Sequence, residues 1–210
     1  DSIARKYDIL NTLLSLNIDS YWRRELAKEV RGATPVLDLC CGTGEQMRHV
    51  ARINSNNSVF GIDFAFEMLR VARRRVRFPL IHGDATMLPF RSESFGACTI
   101  TFGLRNLHDP ELGVSEFRRV LRRGGRLAIL EFVPSEIVKL PLYRNYNKRI
   151  LPFAGNLLSG SKAYTYLANS VSEWLTPERL RAMLVSNGYC HVSSRALTGG
   201  IVYLYTGIRK

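Results

Sequence analysis

Apolar and polar positions alternate in two distinct rhythms along this chain. Ile3, Tyr7, Leu10 and Leu14 recur at helical spacing, followed by Trp22, Leu26 and Val30, which predicts two short amphipathic helices. Gly32 and Pro35 then punctuate the chain before Val36-Leu37-Asp38-Leu39, a short buried strand. Four further apolar runs read as strands: Val59–Asp63, Leu80–His82, Ala97–Thr101 and Arg126–Leu130. Between them Met47–Ile53, Phe66–Arg75 and Leu112–Leu121 carry helical patterns. Strands alternating with helices predict an α/β fold with a parallel sheet covered on both faces. The last part differs: His191–Leu197 and Ile201–Ile208 flank Thr198-Gly199-Gly200 and predict an antiparallel hairpin.

The 210 residues fit one domain, with residues 1–31 as its N-terminal helices. Residues 134–176 form a long connection rich in bulky apolar side chains, including Leu140, Tyr143, Phe153 and Trp174. A connection of that length predicts an inserted substrate-binding cap, or else helices packed on the sheet. No apolar stretch approaches the ~18 residues needed to span a bilayer, and the run Leu127–Val133 is broken by Glu131.

Charge adds a constraint on partners. Thirty Lys and Arg against 18 Asp and Glu give +12, which favours an anionic partner or is a solvated basic face. The spacing of Cys40, Cys41, Cys98 and Cys190 matches no zinc or redox motif, so free, buried thiols in a reducing, cytoplasmic setting are expected, with no metal. The chain opens at Asp1 with no signal-peptide pattern, which leaves room for an upstream segment.

Candidate chemistry sits at successive strand ends. Asp38-Leu39-Cys40-Cys41-Gly42-Thr43-Gly44 turns from the first strand into a helix, bringing backbone amides close to a ligand. It departs from the dinucleotide pattern at Cys40 and Met47, and no P-loop Lys follows. Asp63 ends the second strand, where a carboxylate can accept ribose hydroxyls. Asp84, within Gly83-Asp84-Ala85, can accept from an adenine amino group, with Phe64 and Met68 placed against the adenine faces. Each Asp alone reads equally as a turn residue. Together they fit an adenosine ligand without phosphates, S-adenosylmethionine.

The segments VLDLCCGTG, GIDFAFEML, GDATMLPF, TITFGLRNLHD, RRVLRRGGRLAILEF and LTGGIVYLYTGIRK resemble the ubiquinone/menaquinone biosynthesis C-methyltransferases, as do Tyr7-Asp8-x-x-Asn11 and Trp22-Arg23-Arg24. Phe102–Asn106 is the most diagnostic stretch. The resemblance covers nearly the whole chain and implies a class I S-adenosylmethionine-dependent methyltransferase (Rossmann-like) fold. Its mostly parallel seven-stranded sheet ends in an antiparallel C-terminal hairpin. It places cofactor contacts on Thr43, Asp63, Asp84, Ala85 and Thr101, beside Gly42 of the turn, and the acceptor at Arg105, Asn106 and Tyr7. Departures are Arg123 for a usual Pro, Gly96 for a common Asp, Asn17 for a frequent Gly, and Ser172-Glu173-Trp174 for a usual Phe-Pro.

C-methylation of a hydroquinone requires phenolate-like charge near neutral pH, although a phenol pKa is about 10. Arg105, always charged, is the expected oxyanion stabiliser rather than a base, with Asn106 and Tyr7 orienting the ring or a water. His108 has the right range for a proton acceptor, against a plain loop or helix-start histidine. The acceptor implied is a polyprenylated quinol, taken as demethylmenaquinol, with the ubiquinone precursor, or both, as the alternative. The tail and the arginines at 70, 73, 74, 75 and 77 suggest peripheral contact with an anionic membrane. A homodimer or a quinone-biosynthesis assembly stays open. Nucleic acid is not expected, because the basic residues are scattered and no recognition module appears. A methyltransferase for RNA or another small molecule, and a non-catalytic scaffold, are the competing readings.

Overall fold

A computed structural model describes residues 18–54, 58–134, 137–138 and 170–210. The strands are β1 (Val36–Leu39), β2 (Val59–Asp63), β3 (Leu80–His82), β4 (Phe95–Thr101), β5 (Leu121–Phe132), β6 (Tyr189–Leu197) and β7 (Val202–Arg209). They form one seven-stranded sheet in the order β3-β2-β1-β4-β5-β7-β6. All pairs from β3 to β5 are parallel, and β7 runs antiparallel to both β5 and β6. The helices are α1 (Ile18–Glu29), α2 (Glu45–Ile53), α3 (Phe66–Ala72), α4 (Pro110–Val120) and α5 (Pro177–Ser186).

Strand alternation divides the core in two. Leu37, Leu39, Cys98, Ile100, Leu127 and Ile129 pack with Phe117 of α4 and Leu180 and Leu184 of α5. Val36, Val59, Ala97, Ala128 and Leu130 pack instead with Trp22 and Leu26 of α1 and Met47 and Val50 of α2. The same alternation puts Asp38 in step with Val36, and Glu131 in step with Leu127 and Ile129. Trp22 ties α1 to the C-terminal hairpin by donating its Nε1 hydrogen to Thr198 Oγ1 at 2.7 Å.

Several expected boundaries move. Phe66–Arg75 is helical only to Ala72. Leu112–Leu121 becomes Pro110–Val120, started by Pro110 and by Asp109, whose side chain accepts from the Leu112 amide at 2.9 Å. The strand expected at Arg126–Leu130 is longer, running from Leu121, expected as the helix end, to Phe132, with a register shift opposite Phe95 and Ala97. Gly96 has a structural reason at that shift: a Cβ there would meet the Thr34 carbonyl oxygen at 2.8 Å. The first N-terminal helix, Asn17 and most of the 134–176 connection lie outside the described residues.

Candidate active site

The C-terminal ends of β1, β2, β3 and β4 carry the turns that build the site, the usual place for a ligand in an open parallel sheet. After β1 the chain turns through Cys40 at φ 51°, Gly42 at φ 54° and Gly44 at φ 83° before α2 begins. A left-handed conformation costs a non-glycine residue roughly 1–2 kcal/mol, so Cys40 carries strain where a glycine would carry none. Gly103 makes room for it, because a Cβ at 103 would lie 2.6 Å from the Cys40 Cβ. The turn after β1 is thereby fitted to the Phe102–Asn106 turn after β4.

Asp63 stitches β2 to this turn. Its Oδ2 accepts from the Gly42 amide at 2.7 Å and its Oδ1 from the Ala65 amide at 2.8 Å. Burial raises its pKa, and these amides oppose the rise. A carboxylate has about four acceptor positions, so both oxygens keep lone pairs for ribose hydroxyls. Asp84 Oδ1 accepts from the Thr86 amide and hydroxyl, both at 2.8 Å, and these bonds hold its pKa below the ordinary carboxylate value. The loop beyond is pinned by α4: Glu116 accepts from the Leu88 amide, and Arg119 donates to the carbonyls of Leu88 and Phe90. Phe64 is 75% exposed, Met68 is half-buried, and Thr43 and Ala85 are buried. Phe64 thus offers an open aromatic face beside Asp63.

Arg105, expected to carry charge to the acceptor, is an ion-paired and buried guanidinium. Its side chain is 3% exposed, and Nη1 lies 2.5 Å from Oε1 of the fully buried Glu131. Nη1 also donates to the Phe102 carbonyl at 2.9 Å, and Nε lies 3.4 Å from Ser170 Oγ. The guanidinium rests over the Phe132 ring at 5.6 Å. Glu131 Oε1 further accepts from the Phe132 amide at 3.0 Å. Nη2 makes no hydrogen bond among the described residues. Charge at this point is therefore balanced, and what Arg105 can extend is a fixed pair of N–H donors.

Asn106 is exposed, and its Nδ2 lies 3.3 Å from the Phe102 carbonyl that also binds Arg105. Tyr7 lies outside the described residues. His108 is exposed, and its charge acts on Asp84. All four cysteines are free; burial pushes the thiols of Cys40, Cys41 and Cys98 well up, so none of these is a ready thiolate.

Residues 1–209 match the model of the ubiE/COQ5 methyltransferase family. The chain belongs to that family. A "Ubiquinone/menaquinone biosynthesis C-methyltransferase UbiE" from Syntrophotalea carbinolica is 39% identical over 100% of this chain and 92% of its own length. A "Demethylmenaquinone methyltransferase" from Streptomyces avermitilis is 42% identical over 100% of this chain and 92% of its own length. Among solved structures, a possible histamine N-methyltransferase from Thermotoga maritima superposes with a TM-score of 0.69 at 18% identity, covering 100% of this chain and 98% of that one. That likeness speaks for the fold alone, a class I methyltransferase fold. This methyltransferase carries the family's motifs on the turns just described. Sequence reasoning missed Glu131, which had served only as a charge interrupting an apolar run. A lone acidic residue inside Ile129-Leu130-Glu131-Phe132 was the signal available.

Proposed function

We propose that this S-adenosylmethionine-dependent methyltransferase C-methylates a polyprenylated hydroquinone, with demethylmenaquinol as acceptor. The observation that carries the acceptor side is the Arg105–Glu131 pair. It is a buried guanidinium on the turn that follows β4, held on three sides and with no partner for Nη2 among the described residues. The names of the Syntrophotalea and Streptomyces relatives support a quinone substrate.

The cofactor side fits an adenosine ligand through its unsatisfied acceptors. Asp63 would hold the ribose, and Asp84 the adenine amino group through Oδ2, which has no partner among the described residues. Phe64, Met68 and Ala85 would pack on the adenine, Gly42 and Thr43 would line the turn, and Thr101 offers a buried Oγ1 with no partner among the described residues. S-adenosylmethionine, when bound, supplies an electrophilic methyl group.

The rest is work for the chain's own residues. Arg105 Nη2 donates to the ring oxygen beside the carbon to be methylated, lowering the cost of phenolate character there. Glu131 holds the guanidinium in one plane, so no side-chain reorganisation accompanies charge development. Arg105 acts as a donor and not as a base, because a guanidinium has five N–H donors and no acceptor. Asn106 Oδ1 and Tyr7 orient the ring or a water. The hydrophobic connection 134–176 accommodates the polyprenyl tail. Arg73, Arg74 and Arg77 are exposed and meet anionic headgroups, whereas Arg70 and Arg75 already pair with Glu67 and Glu45.

The test is transfer of labelled methyl groups to reduced demethylmenaquinone and, in parallel, to the demethylated benzoquinol precursor, both with short tails. Label in the naphthoquinol is expected; label in the benzoquinol alone, or in neither, refutes the assignment. Arg105→Ala should lower turnover about 10²–10³-fold while S-adenosylhomocysteine affinity stays within about threefold.

A further inference from the structure

Buried polar atoms without partners are uncommon in folded proteins, and each calls for an explanation. Two such atoms, Tyr205 Oη and Trp174 Nε1, have no partner among the described residues and lie on the α4/α5 face of the sheet. Tyr205 is fully buried on β7, in register with Ile129 of β5. Side chains alternate along β5, so Ile129 and Glu131 share this face. Trp174 is half-buried against the same cluster, between a helical stretch that ends at Ser172 and the start of α5.

Both groups are tied to the surroundings of Arg105. Arg105 Nε lies 3.4 Å from Ser170 Oγ. The Trp174 amide donates to the Val171 carbonyl at 3.3 Å, which folds the chain carrying the indole back on the stretch that meets Arg105. On the other side, the charges of Glu131 and of Glu178, in the first turn of α5, both act on the Tyr205 phenol. Burial chiefly, with Glu131, Tyr203 and Glu178 behind it, pushes the phenol pKa up, so Tyr205 keeps its proton. Water reaches neither polar atom, and each therefore carries an unmet hydrogen-bonding demand.

The two groups differ in what they can do. An indole N–H only donates, whereas a phenol both donates and accepts. Together they suit a hydroxyl group, which also does both. We infer that Tyr205 Oη and Trp174 Nε1 hold the second hydroxyl of the acceptor ring, the one that Arg105 does not bind. This rests on the quinol reading above, and adds a contact that distinguishes a ring with two oxygens from a ring with one. Trp174 stands where the chain departs from the usual Phe-Pro, neither of which has a side-chain N–H to offer. Half-buried and outside regular structure, it is the side chain that gives way to admit the ring.

Oxygen-free titration of the protein saturated with S-adenosylhomocysteine tests this contact, with 1,4-dihydroxynaphthalene and 1-naphthol as probes. Neither probe has a tail, so the ring alone is read. Wild type should bind the diol more tightly. Tyr205→Phe and Trp174→Phe should each weaken the diol about 3–10-fold, the loss of one neutral hydrogen bond, and change 1-naphthol by less than about twofold. Tyr205→Phe deletes an oxygen with nothing to bond in the free protein, so its melting temperature should not fall below that of wild type. A lower melting temperature with equal weakening of both probes would make Tyr205 a structural residue and overturn the contact. Unchanged affinity for the diol in both variants would overturn it too, and if wild type still methylates the quinol, the acceptor reading survives that loss. If wild type binds neither probe and transfers no methyl group to reduced demethylmenaquinone, the acceptor reading falls and takes the contact with it. Affinity for S-adenosylhomocysteine within about twofold of wild type is the check that each variant is folded.

Discussion

Asp38 and Glu131 are both fully buried carboxylates, on opposite faces of one sheet, and their surroundings differ. Glu131 is met by the Arg105 guanidinium and the Phe132 amide, so its charge is compensated inside the fold. Asp38 has one hydroxyl bond and a second oxygen with no partner among the described residues, with the Arg23 charge nearby. Burial consequently pushes the Asp38 pKa up to about 7, opposed by the Thr99 bond and the Arg23 charge and assisted by Asp63. The contrast separates two ways of building a site. Around Glu131 the protein completes its own electrostatics in order to hold a donor still. Around Asp38 it leaves a buried carboxylate only partly satisfied.

The largest expected effect breaks the complete partner. Glu131→Ala leaves Arg105 buried and uncompensated, which should cost about 3–5 kcal/mol in urea unfolding and collapse turnover, whereas the isosteric Glu131→Gln should lose less stability. Removing the deficient partner should act in the opposite direction. Asp38 binds its proton more tightly folded than unfolded, so its contribution to wild-type stability falls as pH rises from about 4 to about 7 and is level above that. Asp38→Asn should abolish this fall, matching wild type near pH 4 and exceeding it by roughly 2–4 kcal/mol above pH 7. Equal melting temperatures at pH 8 would refute the deficit. A smaller effect tests how the two turns are fitted together. Gly103→Ala should destabilise by about 1–3 kcal/mol, and Cys40→Gly should rescue most of it, because the clash is between their Cβ atoms.

Much of this architecture was legible from apolar periodicity. β1, β2 and β3 fall on the expected residues, since short buried strands bounded by turns leave little choice. The start of β5 was not legible, because Arg122-Arg123-Gly124-Gly125 has no apolar pattern to mark a strand. The structure instead keeps these residues in the sheet by a register shift against β4. Asp63 and Asp84 were recognisable as acceptors because their place at strand ends is a sequence property. The partnership of Arg105 with Glu131 was not, since 26 residues separate them and only the pairing of β4 with β5 brings them together. The same holds for Arg23 and Asp38, joined only once α1 packs on the sheet.

The position of β7 has a consequence for biosynthesis. It follows β6 in sequence yet lies between β5 and β6 in the sheet. While the chain emerges from the ribosome, β5 therefore keeps an open edge and β6 has no strand to pair with until residues 202–209 appear. The N-terminal strands can assemble early, but the strand carrying Glu131 is sealed last, and a chain stalled before Val202 would present that edge to other nascent chains.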